Sequence, residues 1–251
     1  MLSALVPPDL SAGFALLLVA ASFATSALTA GLGIGGGVAL LALMAYGMPV
    51  AALIPVHGVV QLGSNLGRFA VQRRHVHWRT LGAFALGSAL GAGLGGRFVV
   101  GLPEAWLGLM LGAFVLVMTW VKVPKLAAAS PLVLAVGGAA GSFLTMFFGA
   151  TGPFVAAVLG AAFPERMTLV ATHAAAMVVQ HGLKILVFGL LGFAFAPYVP
   201  LLAAMIATGF LGTLAGTALL RRVPEARFRI AFRAVLTVLA LDLMRRGFAG
   251  L

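Results

Sequence analysis

An all-α, polytopic membrane fold made of two inverted-topology repeats follows from three features of the sequence: its composition, the length of its apolar runs, and a pattern of residues that returns in its second half. Of 251 residues, 62% are apolar and 8% charged. An ordinary soluble domain has about 45–50% and about 25%, so this chain has too little polar material to cover a water-facing surface. A soluble globular domain is excluded. Sixteen Lys and Arg against five Asp and Glu leave a net charge of +11. A nucleic-acid binder would gather such charge into long hydrophilic stretches, whereas here the cations punctuate apolar runs, as positive loops on the cytoplasmic side of a membrane do. The chain has no cysteine, which removes disulfides, thiolate chemistry and Cys-ligated metals.

A membrane-spanning helix needs about 20 apolar residues at 1.5 Å rise each. The first run, Ser11 to Ala30, ends in the glycine-rich Gly31 to Gly37 and is followed by an apolar piece of half the spanning length, Val38 to Tyr46. Val50 to Ala70, Leu81 to Val100 and Ala105 to Val121 come next. Beyond Lys122 and Lys125 the order repeats: Pro131 to Phe148, a break at Gly149 to Pro153, a short piece Phe154 to Phe163, then Met167 to Leu191, Pro197 to Leu220 and Phe228 to Leu243. No Lys or Arg precedes the first run, so the start does not read as a cleaved signal and all 251 residues are expected in the mature protein.

At an offset of 116, Ser26, Leu28, Thr29, Gly33, Gly36, Leu53 and His57 fall on Ser142, Leu144, Thr145, Gly149, Gly152, Leu169 and His173, and Arg68 falls on Lys184. At an offset of 121, Pro103-Glu104-Ala105 falls on Pro224-Glu225-Ala226. A matched histidine, cation and Pro-Glu-Ala are not expected by chance from such a composition. The repeats are residues 1–125 and 126–251. Loop charge orients them. Arg68, Arg73, Arg74 and Arg79 surround the loop after the third piece of the first half, and the counterpart, Gly192 to Tyr198, has no charge. Arg221, Arg222, Arg227 and Arg229 follow the next helix of the second half, where the first half has only Arg97 and Glu104. Corresponding loops therefore lie on opposite sides, which requires an odd number of crossings per half. Each half is then a Gly-broken hairpin plus three crossing helices. Arg245 and Arg246 at the C-terminus run against this arrangement. A parallel one with eight crossings would instead export the four arginines around residue 225.

Bare main chain at membrane depth is tolerated where it faces protein or a wet cavity. The two breaks thus mark a cavity, and orphan N–H groups of the half-helices they open suit an anion. Gly35, Gly36, Gly37, Thr151 and Gly152 are the expected donors, with Thr29 and Thr145 just before the breaks as further candidates. His57, Gln61 and Asn65 recur at i, i+4 and i+8 with Arg68 three further on, and His173, His181 and Lys184 occupy related slots beside Gln180. Ionisable groups inside membrane segments are costly and tend to face a pathway. His57 and His173 are expected to donate to the anion or titrate during transport. The competing role for each is to pair with a neighbouring carbonyl and fix helix packing. For Arg68 and Lys184 the competing role is snorkelling to the headgroups. Gly87, Gly91 and Gly95, and likewise Gly209, Gly212 and Gly216, read as close-packing positions. His75 and His77 belong to a solvated loop with a weak case for metal. Trp78, Trp106 and Trp120 fall near helix ends, as in an interfacial belt.

Gly31 to Gly37 followed by a half-length helix and Pro49, a polar-faced helix running into an Arg-rich loop with His77-Trp78, a glycine-rich helix, and a degenerate second copy resemble the TauE/SafE family of sulfite and organosulfonate exporters. The resemblance covers nearly the whole chain and is most specific over Gly31 to Gly37 and the helix that follows. The second copy departs from it, with Gly149-Ala150-Thr151-Gly152-Pro153 in place of a full glycine run. The resemblance implies a multi-pass protein of the bacterial cytoplasmic membrane that moves small sulfur-containing oxyanions such as sulfite, sulfoacetate or other organosulfonates outward, driven by an ion gradient, with protons as a candidate coupling ion. Alternating access would rock one half against the other around a site between the repeats. The expected partners are the anion, the bilayer and, as an open option, a second copy in a homodimer; nucleic acid, metal and cofactors are not expected. The rival readings are an anion channel and an intramembrane enzyme. Asp9, Glu104, Glu165, Glu225 and Asp242 all fall in loops or near termini, so no buried acid pair exists for acid/base chemistry, and an enzyme is not expected.

Overall fold

The computed structural model describes residues 6–32, 35–99, 103–121, 130–160, 162–163, 165–219 and 225–251, which are helical almost throughout and contain no strand. Gly33, Lys122, Lys125, Arg221, Arg222 and Pro224, used above, lie outside the described residues. Every apolar run has become a helix: α1 (Ala12–Leu32), α2 (Gly36–Gly47), α3 (Val50–Gln72), α4 (Trp78–Val99), α5 (Glu104–Trp120), α6 (Pro131–Phe148), α7 (Gly152–Gly160), α8 (Arg166–Leu190), α9 (Val199–Leu219) and α10 (Glu225–Ala249). Four described stretches are long and apolar enough to cross a membrane by length and composition: Ala12–Ala30, Pro131–Phe148, Met167–Leu190 and Ala196–Gly216. The chain is an all-α polytopic membrane protein.

The ends of these helices follow from local chemistry. Ser130 caps α6 by accepting the Val133 N–H, and Pro131 fills the first helical position, where its missing N–H is no loss. At the other end Gly149 takes φ 73°, a left-handed conformation that suits glycine, and stops the helix. Gly35, at φ 107°, opens α2 in the same way. His77 caps α4 through Nδ1, which accepts from the Thr80 N–H, and its own N–H donates to Thr172 Oγ1 on α8 at 3.0 Å. Its ring packs on Phe163, and Val76 is buried beside it. The histidine loop is solvated, with Arg73 to His75 and His77 exposed as expected, and is anchored by Val76, which joins the apolar core, and by the hydrogen bonds of His77.

By packing, the chain forms two units, each drawing on both halves of the sequence. The first comprises residues 1–60, 103–121 and 194–251. In it α1 lies along α9, and α5 along α10. Gly36 meets α1 at Thr25 and Thr29, while Gly47 meets Phe14, so α2 doubles back antiparallel along α1. Gly112 faces Ala240 and Met244, Gly108 faces Leu243 and Gly247, and Trp120 donates to Thr237, so α5 and α10 run antiparallel. Leu18, Leu40, Leu41, Met44, Leu201 and Met205 are buried in this unit.

The second unit comprises residues 61–102 and 122–193. Here α4 lies along α6 and against α8. Gly137 meets Val158 and Gly141 meets Val155, so α7 doubles back along α6 just as α2 does along α1. Its core is Phe84, Leu134, Val155, Val158, Leu159, Ala171 and their neighbours. At 1.5 Å per residue α2 is roughly 18 Å long and α7 roughly 14 Å, each about half a hydrocarbon core.

The two units repeat one another's contacts. A Cβ on Gly91 would overlap the Ala139 carbonyl, and one on Gly95 would crowd Phe143; at the related positions, Gly212 meets Phe23 and Gly216 meets Ala27. Where Gly87 abuts the Ala135 carbonyl, Thr208 Oγ1 donates to Val19 O at 2.9 Å. Where Gly138 abuts the Phe84 carbonyl, Ser22 Oγ donates to Met205 O at 2.6 Å. In both pairs residue numbers rise together, so the helices are parallel. The small residues expected to allow close packing do so, by letting main chain approach main chain.

Candidate functional site

Each folded-back hairpin presents the start of its half-helix to the helix that follows. In the first unit His57 is fully buried on α3 and its Nε2 lies 2.9 Å from the Gly37 carbonyl. In the second, His173 Nε2 lies 3.0 Å from the Gly152 carbonyl. A carbonyl can only accept, so in both cases the imidazole carries a proton on Nε2 and donates it to the break. The two matched histidines thus make the same bond, the one that fixes helix packing. With Nε2 given to a carbonyl, the second ring nitrogen is an acceptor in the neutral imidazole and could donate to an anion only after protonation.

The glycines differ in what surrounds them. Gly36 is pressed against the Thr25 carbonyl and Thr29 Oγ1, which itself bonds back to Thr25 O at 3.0 Å. Gly152 is open by comparison, with only Met177 Sδ and His173 Nε2 near where a Cβ would stand, at 3.8 and 4.0 Å. The first turn of α7 begins after Thr151, whose carbonyl accepts the Val155 N–H. Gly152 and Phe154 therefore carry N–H groups with no acceptor inside the helix, and Pro153 has none to offer.

The second break is bound by three side chains of α8 that share one face. His173, Gln180 and Lys184 stand at i, i+7 and i+11, which the helical period brings into line. Gln180 Oε1 accepts from Thr151 Oγ1 at 2.8 Å, and its Nε2 donates to Ser142 Oγ at 3.3 Å. Lys184 is fully buried; its Nζ donates to Thr145 Oγ1 at 3.1 Å and to the Gly149 carbonyl at 2.7 Å. It does not snorkel. Gln180 and Ser142 are the contributors the sequence reading passed over, although Ser142 stands among the matched positions and shares a helix face with Thr145 three residues on.

On the other face of this unit's polar set, Arg68 Nη2 donates to Asn65 Oδ1 at 2.8 Å, and Asn65 Nδ2 donates to the Gln61 carbonyl at 2.7 Å. Arg68 Nε is buried with no hydrogen-bond partner, and the guanidinium is within electrostatic range of His173. Asn65 and His181 are both buried. The structure therefore brings Gln61, Asn65 and Arg68 together as a ladder on α3, and Thr145, Thr151, Gly152, His173 and Lys184 together at the second break. Gly35, Gly36, Gly37, Thr29 and His57 belong to the first unit and form a separate cluster.

The electrostatics of the second unit are one-sided. Among the described residues, the ion pairs are those of Asp242 with Arg245 and Arg246, in the first unit. Asp9 accepts from Tyr198, and Glu165 from Thr168. No carboxylate lies within ion-pair distance of Lys184 or Arg68 among the described residues. Two cations on apolar helices without a counter-charge make a positive site that a small anion would complete. No group of three or more metal-ligating side chains occurs among the described residues.

A family model described as "Sulfite exporter TauE/SafE" matches residues 17–243. Searches of the curated proteins and of the solved structures find no match.

Proposed function

The chain belongs to the sulfite exporter TauE/SafE family, a family of membrane transporters, and from that premise we propose that it is a secondary transporter for small sulfur-containing oxyanions, sulfite or an organosulfonate, exported across the bacterial cytoplasmic membrane. The observation that carries the proposal is the uncompensated positive charge at the second break, Lys184 above all. A tetrahedral or pyramidal oxyanion offers several acceptors and one or two negative charges. The Gly152 N–H and the guanidinium of Arg68 are the donors available to it, and the second ring nitrogen of His173 joins them when the imidazole takes up a proton; the Thr151 hydroxyl, which donates to Gln180, lines the site with Gln61, Asn65 and His181. Gly35, Gly36, Gly37 and His57 play the corresponding part at the first break.

The proposed scaffold is a pair of inverted repeats, residues 1–125 and 126–251. The antiparallel run of α5 and α10 supports it, since equivalent helices related by a two-fold axis in the membrane plane must run in opposite directions. The exchange of contacts between α1–α9 and α4–α6 supports it too. Transport proceeds by alternating access, and the bodies that move keep these glycine-mediated contacts intact, because parting them would expose main chain pressed against main chain. Helix pairs drawn from both repeats therefore travel together.

Thermal stabilisation of the detergent-purified protein against sulfite, sulfoacetate, taurine, sulfate and simple carboxylates tests the reading. Sulfite or a sulfonate is expected to raise the melting temperature and carboxylates to do so less. A flat response across the panel contradicts it.

A further inference from the structure

Lys184 has a geometry that suits another purpose than touching substrate. Its ammonium sits on the carbonyl of Gly149, the residue that ends α6, and on the hydroxyl of Thr145 one turn earlier, while Thr145 Oγ1 also donates to Gly149 O at 3.1 Å. The C-terminus of a helix is the negative end of its dipole and leaves carbonyls without intrahelical donors. In carriers with interrupted helices, such unwound carbonyls and half-helix ends are where a coupling cation binds. An N–H···O distance of 2.7 Å and another of 3.1 Å are those of an ammonium ion held by oxygen ligands. The related position in the first repeat is Arg68, whose guanidinium turns to Asn65 on its own helix. The Lys184 ammonium thus stands where the Thr145 hydroxyl and the Gly149 carbonyl converge.

We propose that Lys184 is a built-in cation: its tethered ammonium occupies the cation position of the broken α6–α7 hairpin, so that anion binding at this break requires no bound sodium or potassium. This rests on the anion-site reading above. It adds that the positive charge is supplied by the chain itself, and that removing the side chain uncovers a cation requirement. Truncation at Cβ removes a propylammonium-sized group and leaves Thr145 Oγ1 without its donor and the Gly149 carbonyl with the Thr145 hydroxyl alone.

The test compares wild type, Lys184→Ala, Lys184→Met and Lys184→Ala/Thr145→Ala in detergent, reading the thermal shift produced by choline sulfite in choline, sodium, potassium, ammonium and propylammonium chloride at one chloride concentration. Wild type is expected to respond alike in all five. Lys184→Ala is expected to lose the response in choline and to regain affinity by at least about tenfold in ammonium or propylammonium. Lys184→Met, whose apolar chain fills the space, is expected to lose the response in every salt, and the double variant to be rescued poorly. A wild-type response that needs sodium or potassium overturns the proposal. So does a Lys184→Ala protein that binds sulfite normally in choline, or one that no small cation restores. Should Lys184→Ala not fold, Lys184→Met decides: an unchanged response in choline overturns the proposal, and a lost one supports it. If wild type responds to no anion in any salt, the anion site itself fails and the built-in cation falls with it; a wild-type response combined with any of the contrary results above sinks only the cation.

Discussion

Histidines 57 and 173 show what a residue pattern can and cannot announce. Their matched positions and their places on polar helix faces are legible in the sequence, because a period of 3.6 converts spacing into facing. Their partners are not, since the acceptors are main-chain carbonyls of Gly37 and Gly152, which every residue carries. The same holds for Lys184: its register is visible, but whether it reaches the headgroups or the break depends on the fold of α6 and α7. Replacing His173 by Ala removes the donor to a part-buried carbonyl and is expected to lower stability by about 1–3 kcal/mol. The measurement is the melting temperature in detergent without substrate. Lys184→Met should behave oppositely, with stability unchanged or raised, because an apolar chain of similar size replaces a buried charge that has no acid partner. A large destabilisation by Lys184→Met would mean that the ammonium is chiefly a structural tie.

Elements were the most legible level. The ten α-helices among the described residues were written in the run lengths, and the two breaks in glycine and proline, because in a bilayer the length of an apolar run is itself a structural constraint. Which helices pair was not legible. Ala, Leu and Gly are spread through every run, and lipid removes the hydrophobic contrast that marks a core face in water. The glycines of α4 reveal the pairing only once the contacts are in view. Gly91 and Gly93 are two residues apart, yet a Cβ on the first would overlap the Ala139 carbonyl, while one on the second meets nothing within 4 Å. Gly91→Leu and its counterpart Gly212→Leu are each expected to cost about 1–3 kcal/mol or more by overpacking. Gly93→Leu should be close to neutral. Melting curves of the three variants compare them directly, and equal losses at 91 and 93 would contradict the packing of α4 on α6.

At the scale of the molecule, contacts within each unit show which helix ends gather together. In the first unit Asp9 with Tyr198, Phe14 with Gly47, and Arg246 with the Tyr46 carbonyl gather the start of α1, the end of α2, the start of α9 and the end of α10 at one end. That end holds Arg245 and Arg246, the pair that conflicts with inverted topology in the sequence; both are bound to Asp242, and Arg246 also stacks on the Tyr46 ring at 4.2 Å. The second unit has its own basic end, where Arg73, Arg74, His75 and Arg79 lie exposed. A chain without cysteine allows single-cysteine labelling. His75→Cys and Ala194→Cys, in corresponding loops of the two repeats, should react with an impermeant maleimide from opposite faces of the membrane, the first from the cytoplasm. Labelling of both from one side would exclude inverted repeats.

A carrier site for a sulfur oxyanion at the charged break is read most directly by sulfite counterflow in proteoliposomes. Vesicles loaded with unlabelled sulfite should accumulate labelled sulfite transiently and saturably, and Lys184→Met vesicles should not. Flux that rises linearly with concentration and never overshoots, or overshoot that survives in Lys184→Met, would contradict the account.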